Sequence, residues 1–183
     1  MDSAIAAALV TTPSALLAAS AAYAAGLLQA RGAHRGPVNA VRRQHQRDAY
    51  AAFLGAATTY AYETRLTRNQ ERALAELPTG NAEDVARIER RSWELRAEAA
   101  ESIDPLQRTL PVVLLEGPEH IAERAQEASI AAHMLRSSAP QYVHPRTASD
   151  ARAVQRAREE HARLVDAINA FTIAARDYLN GGG

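Results

Sequence analysis

Apolar positions return at steps of three and four over the C-terminal third of the chain: Val154, Ala157, His161, Leu164, Ile168, Phe171, Ala175 and Tyr178. This predicts an amphipathic helix from Ser149 or Asp150 to Asn180, with a coiled-coil-like seam. Glycines 181–183 follow as a helix stop and loose tail. Upstream, Ile121, Ala125, Ala128, Ala132 and Leu135 share one face of a helix opened by Gly117-Pro118-Glu119. Residues 137–149 hold two prolines and read as a loop. From Val38 to Leu77 there is no proline and a single glycine, Gly55, where a bend or a close contact is expected. Tyr50, Phe53, Leu54, Ala57, Tyr60 and Ala61 define its face, so one long helix is predicted there. Pro78-Thr79-Gly80-Asn81 is a turn, with Asn81 placed to cap the next helix. That helix has a thin seam of Val85, Ile88, Ser92, Leu95, Ala99 and Ser102, and Asp104-Pro105 is expected to end it. Trp93 falls one step off the seam, as an edge cover. Glu89, Arg90, Arg91, Glu94, Arg96 and Glu98 read as solvated.

Two stretches depart from this amphipathic rhythm. Leu110-Pro111-Val112-Val113-Leu114-Leu115 is the densest run of large apolar residues in the chain. With no partner strand in view, it reads as an extended linker across a helical bundle, or as an edge pairing two chains. At the other end, residues 3–30 carry no formal charge over 28 positions, and Arg31, Arg35, Arg42, Arg43 and Arg47 follow before the next acid, Asp48. A bilayer core takes about 20 helical residues, so residues 1–31 read as one membrane helix. Its expected positions include Ile5, Leu9, Leu16, Leu17, Ala18, Ala22, Gly26 and Leu27, with 32–37 as a basic hinge and 38–180 as the helical domain. The arginines are expected to meet anionic headgroups and to keep the C-terminal domain cytoplasmic at the inner or plasma membrane. A cleaved leader fits less well, because an acid and no basic region precedes the span. The opposing reading starts a helix at Thr12-Pro13 and packs it in a bundle of a cytoplasmic, soluble protein.

Composition sharpens this picture. Of the hydrophobic 47%, 42 residues are Ala, which leaves few large side chains for a core. Ala is the strongest helix former and Arg is close behind, so an all-α chain is expected. The 21 basic residues are all Arg and balance 21 acids. A neutral chain is not a bulk polyanion binder, and no nucleic-acid partner is expected. The absence of Cys excludes disulfides and thiolate chemistry.

The chain holds few candidate reactive constellations. None of the six His lies at HExxH spacing or three residues after a carboxylate, the spacing used in di-iron bundles. His161 falls on the seam and reads as an inter-helix histidine. No nucleophile elbow, phosphate loop or dinucleotide fingerprint is present. A non-enzymatic chain without metal or cofactor is expected.

Several segments carry a resemblance. Arg47-Asp48-Ala49-Tyr50-Ala51-Ala52-Phe53-Leu54, Leu115-Glu116-Gly117-Pro118 and Phe171-Thr172-Ile173-Ala174-Ala175-Arg176-Asp177-Tyr178-Leu179 occur in that order behind an apolar start and an Arg-rich junction. The chain resembles uncharacterised, membrane-anchored helical proteins of Streptomyces-type actinobacteria. The resemblance implies an anchor and a helical fold, and no reaction.

The expected molecule is an all-α bundle behind an apolar N-terminal helix, self-associating through the seam of Tyr50, Phe53, Tyr60, His161, Leu164, Ile168 and Phe171. Its expected role is that of a membrane-tethered interaction or scaffold module. The alternatives are a soluble homo-oligomer assembled by the Ala-rich N-terminal helix, and a membrane-active effector that oligomerises through it.

Overall fold

The structure, a computed structural model, describes residues 40–77, 80, 82–143 and 151–181. The chain divides into two compact units, Met1–Gln44 and His45–Gly183. Of the first, residues 40–44 are described, and they are helical and exposed. The expected membrane positions Ile5 to Leu27, Arg31, Arg35, the hinge at 32–37 and the Asn81 cap lie outside the described residues. No helix among the described residues is long and apolar enough to cross a membrane.

The described residues are almost all helical, with no strand among them. Helix α1 covers 40–63. It is followed by α2 (Leu66–Glu76), α3 (Ala82–Glu101), α4 (Asp104–Glu116), α5 (Glu119–Ser138), a 3-10 helix (Ala139–Val143) and α6 (Ala151–Gly181). The main core of His45–Gly183 is built by α1, α4, α5 and α6. Phe171 of α6 meets the rings of Phe53 and Tyr50 edge-on, with centroids 4.9 and 6.0 Å apart. Ile121, Ala125, Ala128, Ala132 and Leu135 of α5 are all fully buried. Three of the five are Ala, and small contact residues shorten the distance between helix axes. This is how a chain poor in large side chains closes its core. A second cluster joins Leu66, Trp93, Tyr142, Ala153 and Ala157, and a third joins Ala73 and Leu77 of the α2 end to Ile88 and Leu95 of α3.

The long helix expected over 38–77 is broken at Thr64-Arg65. The Thr64 hydroxyl folds back on the Tyr60 carbonyl at 2.8 Å, and Asn69 Nδ2 reaches from α2 to the Glu63 and Arg65 carbonyls at 2.8 and 3.1 Å. The Thr64 carbonyl, which would accept from Arg68 in a continuous helix, accepts from Arg96 Nε at 3.2 Å. Hydroxyl and amide side chains thus compete with the helix ladder, without the Gly or Pro that signals a break.

The linker expected at 106–117 is also corrected, since α4 is a helix through the whole apolar run. Pro105 sits in its first turn, where a missing N–H costs nothing, and Asp104 begins this helix instead of ending α3. Ile103, Leu106 and Val113 are buried and Leu110 is half-buried. Their spacing of three, four and three is helical. Pro111 is tolerated on the exposed side, at the loss of one backbone hydrogen bond.

On α3 the buried face is rotated from the expected seam. Ile88, Ser92 and Leu95 are buried as expected, but Val85 is exposed, while Trp93, Arg96 and Ala100 are inside. The seam residues expected to join copies, Tyr50, Phe53, Tyr60, Leu164, Ile168 and Phe171, are consumed in the core of a single chain.

Candidate functional site

The polar centre of the body is Arg96, which is 1% exposed and belongs to a helix face that reads as solvated in the sequence. Its guanidinium lies over the rings of Trp93 and Tyr142, at 5.7 and 5.5 Å from their centroids. Those rings are themselves stacked 5.1 Å apart. Nε donates to the Thr64 carbonyl and Nη2 to the Ala157 carbonyl at 3.5 Å. Glu160 of α6 supplies the counter-charge at 3.7 Å. Glu160 is itself held by the Ser138 hydroxyl at 2.7 Å and the Tyr142 hydroxyl at 2.9 Å. One guanidinium therefore ties the end of α1 to α3, the 3-10 helix and α6, while Glu160 adds α5.

Burial pulls the Arg96 guanidinium below its ordinary value, against the raising effect of Glu160. Burial, with Glu160 as acceptor, pushes the Tyr142 phenol up to about 12. Burial likewise raises Tyr60, whose hydroxyl lies between the Ala100 and Ala132 carbonyls at 3.1 and 3.2 Å. These groups hold their protons across the neutral range and are arranged as ties. Gln46 makes a comparable tie at the far end of the core, donating to the Glu116 carbonyl at 2.6 Å.

Beside the Arg96 centre, a pocket of about 260 Å³ opens between the start of α2 and the middle of α6. Arg65, Thr67, Gln70, Arg158 and His161 are its polar walls, with Leu66 among the apolar ones, and no acid lines it. Burial lowers the His161 imidazole below its ordinary value, and the charges of Arg96 and Arg65 add to this. Its Nδ1 is enclosed and has no hydrogen-bond partner. Among the described residues, no three His, Asp or Glu side chains come together as a metal-holding group.

The sequence-derived site residues fall into separate places. Arg42, Arg43 and Arg47 are exposed on α1. Tyr50, Phe53, Tyr60, Leu164, Ile168 and Phe171 are core, and His161 is half-buried on the pocket wall. Sequence reasoning missed Arg96 because its mixed-sign neighbours make the α3 surface look uniformly polar. The available signal was Trp93 three positions before it, an aromatic face at helical spacing from a cation. The Arg65–Arg158 juxtaposition had no sequence signal, since the two are 93 positions apart. No protein-family profile, curated protein or solved structure matches the chain.

Proposed function

We propose that the chain is a non-enzymatic interaction or scaffold module, tethered to a membrane by residues 3–30, with the helical body on the cytoplasmic side. The observation that carries the reading is the uncharged run of 28 residues followed by Arg31, Arg35, Arg42, Arg43 and Arg47 with no intervening acid. Each such Arg near an anionic surface is worth about 1 kcal/mol. The helical body adds a second kind of support. Arg96, Tyr142 and Glu160 are engaged in inter-helix ties, while Leu115, Ile130 and Met134 remain exposed at 84%, 52% and 53%. Exposed apolar side chains one helical turn apart, as Ile130 and Met134 are on α5, suit protein contact.

An alkaline carbonate wash of membranes holding the full-length protein tests the tether. Retention in the pellet is expected. Release into the supernatant would remove both membrane readings and leave the soluble homo-oligomer. Deleting residues 1–31 and measuring mass by light scattering tests self-association through that segment: a multimer that persists places assembly in the helical body. Dye leakage from vesicles, if seen, would replace the tether with the membrane-active effector.

A further inference from the structure

We propose that the pocket between the start of α2 and the middle of α6 binds a small phosphate-bearing anion, gripped by Arg65 and Arg158 with His161 as the third contact. The inference does not depend on the membrane tether. Four observations lead to it. First, Arg65 and Arg158 come from different helical elements and converge on one cavity, and among the described residues neither guanidinium has a hydrogen-bond or ion-pair partner. Arg68, three positions from Arg65, is by contrast held by Glu63 at 3.0 Å. Second, the acids closest in sequence to Arg158 are already engaged. Glu159 accepts from Gln155 at 2.9 Å, and Glu160 from Ser138 and Tyr142. Third, His161 stands on the cavity wall with the charges of Arg65 and Arg96 pressing on its ring. A bound anion would offset those charges and favour the imidazolium. Fourth, α2 begins inside this pocket with no acid in its first turn and no side-chain cap, so the N–H groups of Leu66, Thr67 and Arg68 keep no helical acceptor.

The chemistry of these walls selects the ligand class. Planar guanidinium forks match phosphate and carboxylate oxygens in pairs, and helix-start amides favour the more highly charged of the two. The volume of about 260 Å³ is below the roughly 300 Å³ at which sites for drug-sized ligands begin. A phosphate monoester with a small organic group fits that space. Leu66, Ala157 and Ala162 offer the organic group an apolar floor.

The test titrates the full-length protein with inorganic phosphate against chloride at matched ionic strength, following the melting temperature and the ring resonances of His161. The resonances are assigned by their loss in His161→Gln. Saturable stabilisation by phosphate is expected, with the His161 titration moved to higher pH in the phosphate-bound protein. Arg65→Ala and Arg158→Ala should each weaken the apparent affinity by about tenfold, the loss of one charge-assisted contact, with helical content unchanged. Equal effects of phosphate and chloride would overturn the proposal. So would phosphate binding that survives the Arg65→Ala/Arg158→Ala double variant. If either arginine variant fails to fold, an unmoved His161 resonance in the unaltered protein overturns it equally. Glycerol phosphate and short-chain phosphatidic acid then separate the sources. Binding of both identifies a free phosphomonoester, and binding of the lipid alone identifies a headgroup.

Discussion

Removing the Arg96 side chain would leave Glu160 facing two hydroxyl donors and no cation, and would empty the space over Trp93 and Tyr142. Breaking a buried ion pair costs about 3–5 kcal/mol. Glu160 keeps some solvent access, with its side chain 21% exposed, so Arg96→Ala is expected near the lower end, a loss of about 3 kcal/mol in urea unfolding. Arg96→Met preserves most of the volume but not the charge. In a cycle with Glu160→Gln, the double variant should be less destabilised than the sum of the single ones, because the pair acts as one unit. Additive losses would mean that Arg96 stabilises through packing on the two rings alone. At this scale the sequence was misleading for a physical reason. Arg96 sits among Glu94, Glu98, Arg90 and Arg91, and composition cannot distinguish the one cation that faces inward from those that face water.

Two glycines separate the demands placed on the elements. Gly55 lies in the interior of α1, it is exposed, and a Cβ there would meet nothing within 4 Å. Neither the bend nor the close contact suggested by its position is required. Gly55→Ala should therefore raise stability by about 0.8–1 kcal/mol, the propensity difference in an exposed helix, read as a higher melting temperature. Gly117 is the reverse case. A Cβ there would lie 2.8 Å from the Val113 carbonyl oxygen and 3.0 Å from the Tyr50 hydroxyl oxygen. The backbone between α4 and α5 passes against the α1 side chain with no room for a methyl group. Gly117→Ala is expected to cost about 1–3 kcal/mol through forced displacement, and an unchanged melting temperature would argue that Tyr50 simply moves aside. Helix α4 itself was legible on one reading and lost on another. Taken as a block, 110–115 looks like a strand; taken from Ile103, the three-four-three spacing marks a helix.

For the whole molecule, the absence of Lys and Cys makes alkaline pH unusually informative. Guanidinium groups stay charged, so tyrosines are the side chains that titrate between about pH 9 and 12. Tyr60 and Tyr142 are both raised by burial in the folded state. Their contribution to stability is therefore complete below the unfolded value of about 10 and is lost as pH rises above it. Tyrosinate absorbance should appear in two phases. The later phase, that of the two buried phenols, should coincide with loss of helical circular dichroism. A single transition near pH 10 with helices intact above it would show that neither phenol is held by the core. Tyr60→Phe, which removes the α1 tie to the α3 and α5 carbonyls, should shift this alkaline melting.

The sequence by itself determined the helical class and the buried faces of α5 and α6. Both depend on local periodicity: Ile121 to Leu135 and Leu164 to Ala175 keep one side dry at any helical docking angle. Only the tertiary structure decided the break at Thr64, the inward turn of Trp93 and Arg96, and the placing of Arg65 and Arg158 on one pocket. Each depends on a group distant in sequence. The Thr64 carbonyl is taken by a donor 32 residues away, and Arg96 is matched by the carbonyl of Ala157, 61 residues on. Periodicity records which side of a helix is apolar. It does not record which polar group on the other side will be enclosed when a neighbouring helix arrives.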